Sequence, residues 1–217
     1  MRRFHHVFFD LDGTLIDHFD AIHQSFVHAA QQLDLEPPSY DKVVATVGGS
    51  VPVTASRLFP KSNPETVATL FESHFDTVMY DAVEINHGSE WLLQSLQEIG
   101  IRCIVFTNKR GDKARAICEH LGLSRWLTGI VGTGDTPWRK PEPEFTRHAL
   151  RQFSAQVESS CLIGDSPFDE QAALCVGMPC FLVATGSHSF KHLCSEAQSP
   201  VYPELHSIGR KVFDLAT

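Results

Sequence analysis

The sequence predicts an α/β fold: a Rossmann-like parallel sheet flanked by helices, with a small all-helical module inserted after the first strand. Three observations carry this expectation. From residue 88 onward, short apolar runs alternate with helical patterns, as in a parallel sheet built from right-handed crossovers. The run Val7–Phe9 has no polar alternation, the look of a strand buried on both faces. Four apolar runs end in polar clusters, at Asp10/Asp12, Thr107/Asn108, Gly134/Asp135 and Asp165/Asp169. A parallel sheet brings such ends to one edge, where the ligand crevice of an open α/β sheet lies.

Each element has a local reason. After the first strand, residues 17–35 place Ala21, Ile22, Phe26, Ala29, Ala30 and Leu33 at helical spacing, until Pro37-Pro38 breaks the pattern. Short helices are expected over 40–47, stopped by Gly48-Gly49, and over 52–59, stopped by Pro60. Residues 64–80 form a longer helix, with Asn63 as N-cap and Pro64 in the first helical position. Between residues 17 and 87 the sequence predicts no strand, which makes 17–87 an inserted helical domain and 1–16 with 88–217 the core. Helices are then expected over 90–99, 111–121, 143–153 and 168–176, with Gly100, Gly122 and Gly177 as stops. Strands are expected over 101–106, around 130–131, over 161–163 and, last, over 180–183. The tail after Gly186 reads as loop plus one short helix.

Composition narrows the function. A chain of 217 residues holds one large domain or a core with a smaller insert. A net charge of −8 argues against a nucleic-acid or membrane-surface partner and fits a protein that brings a divalent cation to an anionic substrate. The apolar run before Asp10 is too short for a signal segment or a membrane span. The 6 cysteines contain no C-x-x-C pair, and Cys103 and Cys161 fall in expected buried strands, which points to a reducing, cytoplasmic location.

The chemistry concentrates at the strand ends. In a straight strand Asp10 and Asp12 share a face, and two adjacent carboxylates need a proton or a cation between them. Mg²⁺, which takes oxygen ligands, is the simplest compensation. An EF-hand does not fit, because a strand and not a helix precedes the aspartates. Gly132-Thr133-Gly134 lacks the third glycine of a dinucleotide fingerprint, and there is no G-x-x-x-x-G-K-[ST] loop. Asp135 reads as a turn residue, and Lys109 and Arg110 read as solvated side chains. The 12 histidines show no metal-site spacing, the pairs His5-His6 and His188/His192 included.

Four stretches taken together resemble the motifs of the haloacid dehalogenase superfamily, in its phosphoglycolate phosphatase-like branch. They are Asp10-Leu11-Asp12-Gly13-Thr14-Leu15, Phe106-Thr107-Asn108-Lys109, Lys140-Pro141 and Gly164-Asp165-Ser166-Pro167-Phe168-Asp169, in the family's order. The insert falls where that family places a helical cap. The resemblance implies a Mg²⁺-dependent phosphatase acting on a small phosphorylated metabolite through an aspartyl-phosphate. It implies Asp10 as nucleophile and Asp12 as general acid and base. Mg²⁺ would be held by Asp10, the Asp12 carbonyl and Asp165. Thr107, Asn108 and Lys140 would bind the phosphoryl group, with Asp169 behind them. His18 at the cap hinge, where relatives often carry a small hydroxyl residue, and Arg57 in the cap are candidate substrate contacts. The readings beside this one are a sugar phosphomutase of the β-phosphoglucomutase type and a non-catalytic binder of phosphorylated ligands. Thr107-Asn108-Lys109 favours the phosphatase over the mutase, and the intact aspartate pair disfavours the binder. A monomer or homodimer is expected.

Overall fold

A computed structural model describes residues 4–216. Its centre is a six-stranded, all-parallel sheet. The strands in chain order are β1 (His6–Phe9), β4 (Arg102–Arg110), β5 (Leu127–Thr133), β6 (Ser160–Gly164), β7 (Cys180–Val183) and β8 (Val201–Tyr202), and their spatial order is β5-β4-β1-β6-β7-β8. Two further strands, β2 (Ile16–Asp17) and β3 (Glu84–Ile85), form an antiparallel pair outside the sheet. Strand β1 lies between β4 and β6, with Phe9 opposite Val105 on one side and Ile163 on the other. The chain therefore reverses direction across the sheet at β1, the topological position where ligand crevices form.

Alternation along the central strands sorts the core into two faces. Val7, Phe9, Cys103, Val105, Cys161 and Ile163 belong to one apolar cluster, and Phe8, Ile104, Phe106 and Leu162 to the other. The first cluster is covered by α5 (Ser89–Glu98), α6 (Gly111–His120) and α10 (Leu205–Phe213). The second is covered by α7 (Pro143–Gln152), α8 (Pro167–Leu174) and α9 (Phe190–Glu196). Cys103 and Cys161 are buried, as their strand positions imply.

Four helices, α1 (Phe19–Gln32), α2 (Tyr40–Val44), α3 (Val51–Leu58) and α4 (Pro64–Val78), occupy the stretch between β2 and β3. The Asn63 side chain accepts hydrogen bonds from the Glu65 and Thr66 backbone N–H groups, which caps α4 as expected. Phe26 of α1 packs on Phe71 of α4 with ring centroids 4.5 Å apart, and Phe75 stacks on Phe71 at 5.5 Å. No helix among the described residues is long and apolar enough to cross a membrane.

Three expectations are corrected. Residues 17–87 do contain a strand: β3 pairs with β2, so Asp17 is in a strand and not in the first helix. Its carboxylate instead accepts the Phe19 N–H at 3.2 Å, ahead of α1. Two-residue strands leave no periodic pattern to read. Strand β4 does not stop at Phe106 but continues through Arg110, with an irregular register to β5 that lets polar residues stay in the ladder. The tail is richer than one helix, holding α9, β8 and α10, and β8 replaces β7 as the last strand.

Candidate active site

The site is built where β1, β4 and β6 end. Asp10 follows β1 directly and is anchored by its N–H to the Ile163 carbonyl at 2.9 Å. The chain then turns at once: Thr14 and Leu15 both donate backbone bonds to the Leu11 carbonyl. The chain is therefore not a straight strand at Asp12, so a shared face no longer follows from the spacing, and the two carboxylates meet different partners. Gly13 sits in the turn at φ +81°, and a Cβ there would lie 2.7 Å from Asp165 Oδ2 and 2.9 Å from Gly186 Cα. Only glycine meets both demands.

Asp10 joins a buried polar cluster. Lys140 Nζ lies 2.9 Å from Asp10 Oδ1 and 2.6 Å from Asp169 Oδ1. Asp169 is the third residue of α8, and its other oxygen accepts the Ser166 N–H at 3.1 Å and hydroxyl at 2.7 Å, a capping box. Asp165 Oδ2 accepts the backbone N–H and the hydroxyl of Ser187, both at 2.7 Å, and Thr14 Oγ1 donates to Asp165 Oδ1 at 3.4 Å. Ser187 was not legible in the sequence, since it lies in the tail, 22 residues beyond Asp165, with no motif to mark it.

The electrostatics follow from burial. Burial pushes the Asp10 carboxyl up to about 6, against the pull of Lys140 and with added repulsion from Asp169. Burial, then the Asp169 and Asp10 charges, push Asp165 up to about 8. Burial disfavours the Lys140 charge, but Asp10 and Asp169 outweigh it and hold the ammonium protonated. Asp10, Asp165 and Asp169 place one oxygen each within 4.8 Å of one another, all buried. With the three ionised and Lys140 charged, the cluster carries a net charge of −2. A hard divalent cation with oxygen preference fits that donor set and that charge.

Asp12 stands in different surroundings. Lys109 Nζ bonds both of its oxygens, at 2.9 and 3.0 Å, and His18 Nδ1 lies 3.6 Å away. Lys109 also lies over the Phe75 ring at 4.6 Å, and the His18 ring packs on Phe75 at 5.1 Å. Burial alone would raise Asp12, but the Lys109 charge and the His18 contact reverse this and hold it well below the usual carboxylate range. The expectation of a solvated Lys109 is thus overturned: its side chain is 8% exposed, because a partner 97 residues earlier in the chain draws it inward. Arg110 does remain half exposed, paired with Asp112. His18 is fully buried at the start of α1.

The remaining candidates separate. Thr107 is buried and its Oγ1 accepts the Lys109 N–H at 3.1 Å. The Asn108 side chain is a clasp: Oδ1 accepts the Lys140 N–H at 2.8 Å, and Nδ2 donates to the Lys140 carbonyl at 3.1 Å and the Gly48 carbonyl at 2.9 Å. It ties β4, the Lys140 loop and the Gly48 loop between α2 and α3 together. Asp135 is structural, accepting from Gly132 N–H and from the Arg115 guanidinium. Arg57 lies over the Phe168 ring at 5.1 Å and lines a cavity with Phe168 and His188, apart from Asp12. His188 precedes α9 and stacks on His192 at 5.1 Å. A second group, His87, Glu204 and His206, also brings ligand-type atoms within 4.8 Å, from parts of the chain that no sequence spacing connects.

Comparison with known proteins agrees with this architecture. The sequence model described as haloacid dehalogenase-like hydrolase matches residues 7–183. A phosphoglycolate phosphatase of Agrobacterium fabrum is 30% identical over 82% of this chain and 79% of its own. One from Rhodospirillum rubrum is 28% identical over 94% of this chain and 88% of its own. A crystal structure from Clostridium acetobutylicum, described as a predicted phosphatase, superposes with a TM-score of 0.90 at 22% identity, covering 98% of this chain and 99% of that one. The chain belongs to the haloacid dehalogenase-like hydrolase family.

Proposed function

We propose that this protein is a Mg²⁺-dependent phosphatase that hydrolyses a small phosphate monoester through an aspartyl-phosphate on Asp10. The observation that supports it most is the pairing of a buried nucleophile candidate, Asp10, with a buried lysine 2.9 Å away. A second carboxylate, Asp12, belongs to a separate charge environment beside it. Such divided environments assign separate tasks to like groups. Relatives named phosphoglycolate phosphatase point to the same reaction class.

On this reading an Asp10 oxygen attacks phosphorus, the bond to the leaving oxygen breaks, and Asp12 gives that oxygen a proton. Asp12 then takes a proton from water, the water oxygen attacks phosphorus, and the bond to Asp10 breaks to release inorganic phosphate. Held by Lys109, Asp12 is in the ionised form suited to the second half. The acid role in the first half requires that hold to loosen. Lys140 and Thr107, with backbone N–H groups near Asn108, bind the phosphoryl oxygens. Lys140 also keeps Asp10 close, and Asp169 keeps Lys140 in place through its own capping bonds. Asp10, Asp165 and the Asp12 carbonyl would hold Mg²⁺, whose chemistry is to offset the negative charge of the phosphoryl group. Residues 17–87 act as a cap, and the antiparallel pair β2–β3 is its hinge.

The test is phosphate release from a panel of phosphoglycolate, a sugar phosphate, a nucleoside monophosphate, pyrophosphate and phenyl phosphate, with and without Mg²⁺. Mg²⁺-dependent release that Asp10→Asn abolishes is expected. No release from any compound would refute the hydrolase reading of this chain.

A further inference from the structure

Outside the aspartate cluster, His87, Glu204 and His206 bring one ligand-type atom each within 4.8 Å of one another. His87 follows the end of β3, where the chain returns from the helical insert. Glu204 and His206 flank Leu205, the first residue of α10. Two segments far apart in the chain thus meet through polar side chains that the phosphatase chemistry does not use.

The His206 ring is fixed in place. It stacks on Trp91 at 4.6 Å with 21° between the planes. It also lies tight on Gly88, where a Cβ would come within 2.6 Å of Nδ1. That nitrogen is buried and has no hydrogen-bond partner among the described residues. A polar atom shut away from water without a partner is costly, and native folds leave few of them. Glu204 divides its two oxygens. Arg210 Nη2 lies 3.5 Å from Oε1, and His87 Nδ1 lies 3.9 Å from Oε2. The second distance is too long for a hydrogen bond. Two ligands of one tetrahedral Zn²⁺, each about 2.0–2.1 Å from the ion, stand roughly 3.3 Å apart. The His87 side chain is 85% exposed and has room in solvent to close the difference.

The donor set decides which ion suits the place. Two imidazoles and one carboxylate favour a borderline divalent ion such as Zn²⁺, whereas Mg²⁺ prefers oxygen ligands alone. The cluster of Asp10, Asp165 and Asp169 offers only oxygen. The two groups therefore differ in the class of ion that they attract.

We propose that His87, Glu204 and His206 form a Zn²⁺ site, with water as the fourth ligand, that ties the segment after β3 to α10. This site does not depend on the phosphatase reading. The ion would steady the frame of the active site without entering its chemistry. Asn86, beside His87, donates its backbone N–H to the Leu15 carbonyl at 3.0 Å and its Nδ2 to the Thr14 carbonyl at 3.1 Å. Those carbonyls belong to the turn after Asp10. An ion that binds only the folded chain stabilises it by mass action.

The experiment is titration calorimetry of the chelator-treated full chain with Zn²⁺ in saturating Mg²⁺, beside melting curves with and without Zn²⁺. Zn²⁺ binding that raises the melting temperature is expected. His87→Ala and Glu204→Gln should each weaken it by at least about tenfold, the lower end of what losing even an outer partner of a metal ligand costs. Both should also lose most of the gain in melting temperature. His192→Ala, from the other stacked histidine pair, should change neither. No Zn²⁺ binding would overturn the proposal. So would binding that persists unchanged in His87→Ala and Glu204→Gln, or that falls in His192→Ala instead, because the ion would then sit elsewhere. Histidine ring NMR of the unsubstituted protein gives a test that needs no variant. Zn²⁺ should shift the His87 and His206 signals, and unmoved signals would overturn the site.

Discussion

Asp10 and Asp12 are two residues apart and live in opposite electrostatic situations. Around Asp10 the carboxylates outnumber the cation: Asp10 and Asp169 flank Lys140, Asp165 lies beside those two carboxylates, and burial raises both Asp10 and Asp165. Around Asp12 the charges are even, with the Lys109 ammonium on a single carboxylate that is held ionised and the His18 ring beside it. The Asp10 side is incomplete without a further positive charge, whereas the Asp12 side is complete as it stands. A short backbone turn begins directly after Asp10, and the two side chains meet different partners, Lys140 for Asp10 and Lys109 for Asp12. In the function proposed above, one sequence motif thus supplies a site for metal and phosphoryl group and, beside it, a proton carrier.

The largest expected effects break this comparison outright. Asp10→Asn should abolish turnover, and Asp12→Asn should lower kcat/KM by about 10²–10⁴-fold for an alkyl ester. The loss in kcat/KM, which reports the first half-reaction alone, should be much smaller for an aryl ester, whose leaving oxygen needs no proton. Equal losses on both esters would contradict the assignment of Asp12 to the leaving group. Next, Lys140→Met removes the cation between Asp10 and Asp169. Breaking a buried pair of this kind destabilises by about 3–5 kcal/mol. Chemical denaturation without metal should show that loss, and saturating Mg²⁺ should recover part of it.

A pH series sharpens the contrast. For Asp10 and Asp165 the folded pKa lies above the unfolded value, so the folded state binds more protons than the unfolded one across the window from about 4 to about 8. Their contribution to stability therefore falls as pH rises through that window. Added Mg²⁺, which requires the ionised carboxylates, should raise the melting temperature more at pH 8 than at pH 5. A Mg²⁺ effect independent of pH would remove the charge deficit from the explanation. The smallest effect belongs to Ser187→Ala, which deletes one of three donors to Asp165 and should weaken Mg²⁺ by about tenfold, read by titration calorimetry.

The two sides also differ in how much the sequence reveals. Asp10 and Asp165 were legible because strands buried on both faces leave uninterrupted apolar runs, and the polar residue that ends such a run marks the edge of the sheet, whereas Lys140, in a loop, was legible only through the resemblance of Lys140-Pro141 to a family motif. Lys109 was not, because a lysine that follows a strand looks solvated until the fold brings Asp12 to it from 97 residues away. Ser187 was hidden for a similar reason: its bond to Asp165 depends on how the tail folds back. The β2–β3 pair and β8 are two residues per strand, shorter than any period that could announce them. Local pattern found the elements and their ends, and what it missed was long-range pairing.

The central claim is covalent chemistry at Asp10, and Asp12→Asn makes it visible. An aryl phosphate such as phenyl phosphate can phosphorylate Asp10 without a proton from residue 12, whereas water without its base is slow to remove the group. Intact mass after brief incubation with phenyl phosphate and Mg²⁺ and an acid quench, followed by peptide mapping, is the measurement. The account predicts one added phosphoryl group on the peptide that contains Asp10, absent when Asp10→Asn is added to the same protein. Phosphate release by Asp12→Asn with an unmodified Asp10 throughout the time course, or a phosphoryl group on another residue, would contradict it.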